Sequence, residues 1–312
     1  LMALVAALED QVIDTTTVFD TQNGELTFYG KYKVRDSRKG GYGKIPITEI
    51  FERSSNTGMV QAIYNEYNSK PEQFVNRLMN MGLSEPLGLP IVGEAKPVIP
   101  HPDKKGWSGI SLPWMAYGYG VLMTPMQTLT FYNAIANDGV MVRPRFIEGT
   151  QNTRSQIKKQ SEVEIINPSI CSKETIGKVK SMLKGVVEKP WGTAHNIYDP
   201  NFAISGKTGT CQLDYNTEEV QYVASFVGYF PSDQPKYSCI VVIHRPDKEK
   251  GYFGNQVAAP VFQTIAHKLY SSIPRETKLS RDRYLEITGN KKETNRSVVE
   301  ADVELTKTQK KS

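Results

Sequence analysis

Three stretches decide the fold: Asn201–Leu213 (NFAISGKTGTCQL), Tyr222–Phe230 (YVASFVGYF) and Tyr237–Arg245 (YSCIVVIHR). Each is rich in β-branched and aromatic residues, the types that suit a pleated, half-buried surface. They are joined by polar turns such as Pro231-Ser232-Asp233-Gln234-Pro235. Connectors this short join antiparallel neighbours, because a parallel crossover needs a dozen residues or more. The spacing therefore predicts a three-stranded meander.

Outward from the meander the period changes to that of helices. Leu1–Glu9 is free of Pro and Gly and predicts a helix. Ile45-Pro46-Ile47-Thr48 leads into another, with Thr48 as its expected N-cap, and Ser54-Ser55-Asn56 interrupts it. Thr57–Tyr67 places Val60, Ile63, Tyr64 and Tyr67 on one face. Pro71–Met81 opens on Pro and precedes Gly82, and Pro125–Asn137 is preceded by Thr124 and followed by Gly139. Ser172–Glu188 is amphipathic, and Val257–Tyr270 follows the meander. Helices, then a strand meander, then a helix predict an α+β domain, with helices flanking an antiparallel sheet.

Elsewhere Thr15–Gly43 is rich in turns, with Glu25–Tyr29 as a short strand. Val140–Glu148 reads as a strand and Thr150–Glu164 as a polar loop. Pro86–Pro113 is a long irregular stretch, the kind that in a compact domain is usually functional or disordered. Beyond Ser272, 17 of the last 40 residues are charged, the composition of a solvated linker or tail. The expected division is a folded domain over residues 1–272 and a charged tail over 273–312.

Composition narrows the function. With 39% hydrophobic and 23% charged residues, wholesale disorder and fibrous repeats are excluded. Leu1–Leu8 is far shorter than the ~18 apolar residues a membrane span requires. The net charge of +5 comes from scattered basic residues rather than a stripe, so no nucleic-acid partner is expected. Cys171, Cys211 and Cys239 are odd in number and far apart, forming neither a disulfide framework nor a zinc pair. No metal or cofactor is expected.

Two short motifs carry chemistry. Ser205-Gly206-Lys207-Thr208-Gly209-Thr210 lies on the first meander strand. It is not a nucleotide loop, since the first glycine of that motif would fall at Asn201. Ser54-Ser55-Asn56 lies in the break between two helices. Alone, the first reads as a strand end with small residues and the second as a helix cap with a turn. Together, in this order and about 150 residues apart, they match the Ser-x-Asn and Lys-Thr-Gly elements of penicillin-interacting serine enzymes.

Further passages resemble the transpeptidase domain of class B penicillin-binding proteins. These are Gly118-Tyr119-Gly120, Thr124-Pro125-Met126-Gln127, Ala134 to Gly139, Gly192-Thr193-Ala194, Gly254 with Ala258 to Phe262, and Gly93-Glu94. The resemblance covers about residues 1–272 and implies the penicillin-binding-protein/β-lactamase-like transpeptidase fold. In that family a Ser-x-x-Lys motif, holding nucleophile and base, precedes Ser-x-Asn. Here Ser155–Lys158 and Ser181–Lys184 have the spacing but follow Ser54, and are read as chance surface matches. Leu1–Leu8 is similar to the family's continuation just after that lysine. The expectation is that nucleophile and base lie upstream of Leu1 and that residues 1–312 alone are inactive.

The resemblance implies a serine-type peptidoglycan D,D-transpeptidase that forms an acyl-enzyme from D-Ala-D-Ala stem peptides. By that resemblance Ser54 passes a proton to the leaving nitrogen and Asn56 holds the substrate amide. Thr208 and Thr210 bind the substrate carboxylate within the positive field of Lys207. Gly209 admits the substrate backbone to the strand edge, and the Thr210 N–H forms half of an oxyanion hole. Trp107, Trp114, Tyr117 and Tyr119 either line the cleft or pack the long loop. Cys211 is expected to be a buried structural thiol.

Implied partners are stem peptides, β-lactam antibiotics, and divisome or elongasome membrane proteins, at the extracytoplasmic face of the cytoplasmic membrane. A D,D-carboxypeptidase or β-lactamase-like hydrolase shares the motifs; Gly120–Gln127 and the middle loop argue against both. A non-catalytic β-lactam-sensing or divisome-docking module remains open.

Overall fold

The computed structural model describes residues 1–151, 158–213 and 220–272. The chain opens with α1 (Met2–Glu9), whose Leu4, Val5, Ala6 and Ala7 are fully buried, so this helix lies inside the core. There follow β1 (Val18–Asp20), β2 (Glu25–Phe28), β3 (Tyr32–Arg35) and β4 (Lys44–Pro46), where β1 pairs with β4 and β2 with β3. Next come α2 (Ile47–Glu52), α3 (Asn56–Tyr67), α4 (Pro71–Asn80), α5 (Ser111–Ala116) and α6 (Pro125–Ala136). Short strands β5 (Met141–Val142), β6 (Gly149–Gln151), β7 (Lys158–Gln160) and β8 (Ile165–Asn167) precede α7 (Lys173–Glu188). The meander is β9 (Ser205–Leu213), β10 (Gln221–Phe230) and β11 (Tyr237–His244), followed by α8 (Gly254–Val257) and α9 (Ala259–Ser272).

The meander is antiparallel in the order β11-β10-β9, with Lys207 opposite Val227 and Gly209 opposite Ser225. In the described sheet β9 is thus a border strand. Helix α6 packs on β10 and β11, and α7 on β9. Phe226 and Phe230 of β10 meet Phe262 of α9 edge-on, at centroid distances of 4.8 and 5.6 Å. Leu1–Lys268 make up one compact unit, and the chain from Leu269 a second. Among the described residues no helix is long and apolar enough to cross a membrane.

Several local expectations change. Helix α2 starts at Ile47, with Pro46 rather than Thr48 at its N-cap, because Pro46 ends β4 in an extended conformation and Ile47 N donates to Thr17 O at 2.8 Å. The expected strand Val140–Glu148 shrinks to Met141–Val142; Pro144 has no N–H to give a ladder. The expected loop Thr150–Glu164 instead holds β7 and the last two residues of β6, Thr150 and Gln151, which pair with Lys159 and Lys158. Helix α5 begins inside the long irregular stretch, where Leu112, Met115 and Ala116 are buried. The last helix is two: α8 ends at Val257 and α9 starts two residues later.

Candidate active site

Ser54 occupies the corner between α2 and α3 with a left-handed φ of 55°. A side chain there costs roughly 1–2 kcal/mol, so neighbouring contacts must hold it. Ser54 N donates to Phe51 O at 3.1 Å and Ser55 N to Ile50 O at 2.9 Å. Ser55 caps α3 by accepting from Gly58 N at 3.1 Å, and its own hydroxyl donates to Asp36 at 2.9 Å. Asp36, which is buried, also receives Thr57 N at 3.0 Å and the Thr57 hydroxyl at 2.8 Å. Asn56 Nδ2 donates to Arg35 O at 2.7 Å, which orients its amide. The corner is therefore clamped from the β3 side.

Lys207 reaches the same corner from β9. Its ammonium donates to Ser54 Oγ and, at 3.3 Å, to Thr208 O, and it lies 5.6 Å from the centre of the Phe51 ring. Burial pushes its pKa down from 10.5 to about 8, since removing an ammonium from water disfavours its charge. A cleft of about 350 Å³ is lined by Ser54, Asn56 and Lys207 together with Leu1, Phe51, Met59 and Tyr117.

The remaining predicted residues lie along β9. Thr208 Oγ1 is 3.0 Å from Thr193 Oγ1, which is 3.4 Å from Ser54 Oγ. Thr210 Oγ1 accepts the Gly254 N–H at 3.1 Å. A β-carbon on Gly209 would meet Ser225 Oγ at 2.6 Å, so a side chain there would have to turn the Ser225 hydroxyl aside. Sequence reasoning passed over Asp36, a lone carboxylate in a turn-rich segment. It gave Thr193 no role either, although Gly192-Thr193-Ala194 was a usable signal.

Of the four aromatics considered, Tyr117 lines the cleft. Trp114 packs edge-on to Tyr32 at 6.0 Å, and Tyr119 lies 5.1 Å from the Tyr117 ring. Cys211 is exposed rather than buried. Ser205 and Gly206 at the start of β9 are covered, but from Lys207 onward the strand is only partly so, and Cys211 faces out. Of the Ser-x-x-Lys matches, Ser181 is exposed on α7, and Lys184 pairs with Asp233 at 2.9 Å and Glu188 at 3.5 Å, partners that raise its pKa and keep it charged. Ser155 lies outside the described residues.

The chain is 29% identical over 250 residues to penicillin-binding protein PbpB of Mycolicibacterium smegmatis, a match covering 76% of this chain and 37% of that protein. It is 26% identical over 266 residues to peptidoglycan D,D-transpeptidase FtsI of Escherichia coli strain K12, covering 85% and 41%. The chain thus spans less than half the length of these curated relatives. Among solved structures, the transpeptidase domain of Burkholderia pseudomallei penicillin-binding protein 3 superposes with a TM-score of 0.72 at 27% identity, covering 88% of this chain and 77% of that one. Penicillin-binding protein 3 of Mycobacterium tuberculosis, complexed with aztreonam, gives 0.72 at 28% identity, covering 87% and 60%. The family profile described as penicillin binding protein transpeptidase domain matches residues 1–267, and the chain belongs to that family.

Proposed function

We propose that this chain is part of the catalytic domain of a peptidoglycan D,D-transpeptidase that works through a serine acyl-enzyme. The convergence of Ser54 and Lys207 in one cleft carries the reading. In this reading the family's motif order assigns the nucleophilic serine and its base lysine to a Ser-x-x-Lys element ahead of Ser54, and residues 1–312 hold no such element before Ser54.

In this reading the serine oxygen attacks the penultimate D-Ala carbonyl while the base lysine takes its proton. The oxyanion is held by the Thr210 N–H and the serine's own N–H; one such donor contributes about 2.7–4 kcal/mol. Ser54 delivers a proton to the leaving nitrogen and is replenished by Lys207, a relay that needs a group able to donate and accept. The C–N bond breaks and terminal D-Ala leaves. An amine from a neighbouring stem then attacks the ester, forms the cross-link and frees the serine. Asn56 holds the substrate amide, and the border strand β9 pairs with the extended substrate. Thr208, Thr210 and Lys207 receive the terminal carboxylate. β-Lactams occupy the same groups as substrate mimics, and the Mycobacterium tuberculosis relative has been solved with aztreonam. The reaction belongs at the extracytoplasmic face of the cytoplasmic membrane, with divisome or elongasome membrane proteins as partners.

A fluorescent penicillin tests this. Residues 1–312 should take no covalent label, whereas a chain extended by the residues encoded ahead of Leu1 should be labelled upstream of Leu1. Labelling at Ser155 or Ser181, or an extended chain that stays unlabelled, would overturn the proposal.

A further inference from the structure

Beside the Ser54 corner, cations and aromatic rings alternate in a row. The guanidinium carbons of Arg38 and Arg53 lie 5.4 and 5.3 Å from the centre of the Tyr42 ring. The Arg53 carbon and the Lys189 nitrogen lie 5.5 and 5.7 Å from the centre of the Trp191 ring. Cations at such distances over a ring face are attracted to it. The row is anchored from below. The Trp191 indole donates to the buried Glu52 carboxylate at 2.6 Å, and Tyr42 N donates to Thr21 Oγ1 at 2.7 Å. It also adjoins the site. Arg53 directly precedes Ser54, and Trp191 stands two residues before Thr193, whose Oγ1 is 3.4 Å from Ser54 Oγ.

The row holds more positive charge than it neutralises. Glu49 meets Arg53 Nε at 2.6 Å, and among the described residues no other acceptor reaches that guanidinium, which has five N–H donors to place. Arg38 and Lys189 are exposed, and their side chains make no ion pair or hydrogen bond among the described residues. Glu49 and Glu52 oppose three cations with two carboxyls, and burial pushes the Glu52 pKa up, which disfavours its charge.

The acyl transfer says what arrives here. The incoming amine must reach the acyl carbon from the place the leaving nitrogen vacated, and in the reading above that place is beside Ser54. The border strand β9 is taken by the donor, so the acceptor runs out past Ser54 toward Arg53 and Trp191. The acceptor is itself a stem peptide and ends in a carboxylate. We propose that Arg53, set between Tyr42 and Trp191 and supported by Arg38 and Lys189, is the acceptor subsite, receiving the terminal carboxylate of the stem whose amine resolves the acyl-enzyme. This rests on the acyl-transfer reading of the same site. The planar guanidinium fork matches a carboxylate, and the flanking rings hold it in one plane. With the acceptor so placed, its nitrogen bonds to the acyl carbon, the ester C–O bond breaks, and the amine's proton passes to the serine oxygen.

The test uses the extended chain, acylated by an amine-blocked stem pentapeptide. Two acceptors are compared, each a stem shortened to a single terminal D-Ala, one ending in the carboxylate and the other in the carboxamide. Mass spectrometry of the cross-linked products gives the ratio of their second-order transfer rates, in which general damage to the fold cancels. Wild type should favour the carboxylate. In R38Q/K189Q that preference should fall about fivefold, the scale of exposed charge pairs. In R53Q it should fall about tenfold, the scale of one hydrogen bond to a charged group. R38K/K189R, which keeps both charges, should retain the wild-type ratio. No preference in wild type, an unchanged ratio in R38Q/K189Q or in R53Q, or a fallen ratio in R38K/K189R would overturn the inference. A wild-type chain that forms no acyl-enzyme would overturn the acyl-transfer reading, and the inference with it.

Discussion

Asp36 and Thr57 are joined twice, the Thr57 N–H donating to one carboxylate oxygen at 3.0 Å and the Thr57 hydroxyl to the other at 2.8 Å. With Ser55 Oγ at 2.9 Å, three hydrogens converge on one buried carboxylate beside the strained Ser54 corner. D36A leaves all three without their acceptor, and each unsatisfied buried group costs on the order of 1–3 kcal/mol. D36A should therefore lower unfolding free energy by about 3 kcal/mol or more in urea denaturation. A loss below about 0.5 kcal/mol, the scale of an ordinary surface change, would show that the corner holds itself.

Lys207 predicts a pH dependence of stability. Its folded pKa of about 8 lies below the ordinary 10.5. Between those values the unfolded chain holds a proton that the native chain lacks, so raising the pH through this window stabilises the native state. Below the folded value both states are charged and the cost of burial is felt in full. Relative to K207M, the wild type should gain stability from about pH 8 to about pH 10 in paired urea titrations. A loss over that range would refute the sign. In its proposed role Lys207 faces the substrate carboxylate, so loss of its charge should weaken binding of anionic β-lactams above about pH 8.

Ser54 lies just outside the Asp36 clamp, and its side chain serves Lys207 and Thr193. S54A in the extended chain should cut the acylation rate by roughly 10²–10⁴-fold, the range for removing a positioned proton donor. Its melting temperature should stay near wild type. Stopped-flow acylation with parallel thermal melts would check both, and an unimpaired rate would remove Ser54 from the relay.

Two glycines should respond with opposite sign. A β-carbon at Gly192 would lie 2.2 Å from Val186 O and 2.7 Å from Gly185 O, both backbone atoms. G192A should cost about 2 kcal/mol or more and displace Thr193. Gly177, within α7, has no atom within 4 Å of such a carbon. G177A should stabilise by about 0.5–1 kcal/mol through helix propensity alone. Calorimetry on the two variants decides; equal effects would contradict the packing.

What was legible follows from where the information lies. The β9–β11 meander was readable because β-branched and aromatic residues fill its strands and short polar turns join them, and α6 because Thr124, Pro125 and Gly139 mark its ends. The β6–β7 pair was not, because its uniformly polar residues leave no apolar face to set a period. Ser54 and Lys207 were joined only by recognising two motifs at once; nothing local in either says that they meet. Asp36 gave no sign, since its partners stand 19 and 21 residues away. Cys211 was misjudged because strand character alone does not tell a covered strand from one bordering a cleft.

Ser54 and Lys207 lie 153 positions apart, yet touch. The entropy of closing so long a loop grows only with the logarithm of its length, and doubling it adds about 0.6 kcal/mol. Lengthening the irregular stretch before α5 is therefore thermodynamically cheap. Descendants of this architecture are free to grow new rims around the cleft, and so to diversify what they admit, while the chemistry at its floor stays as it was.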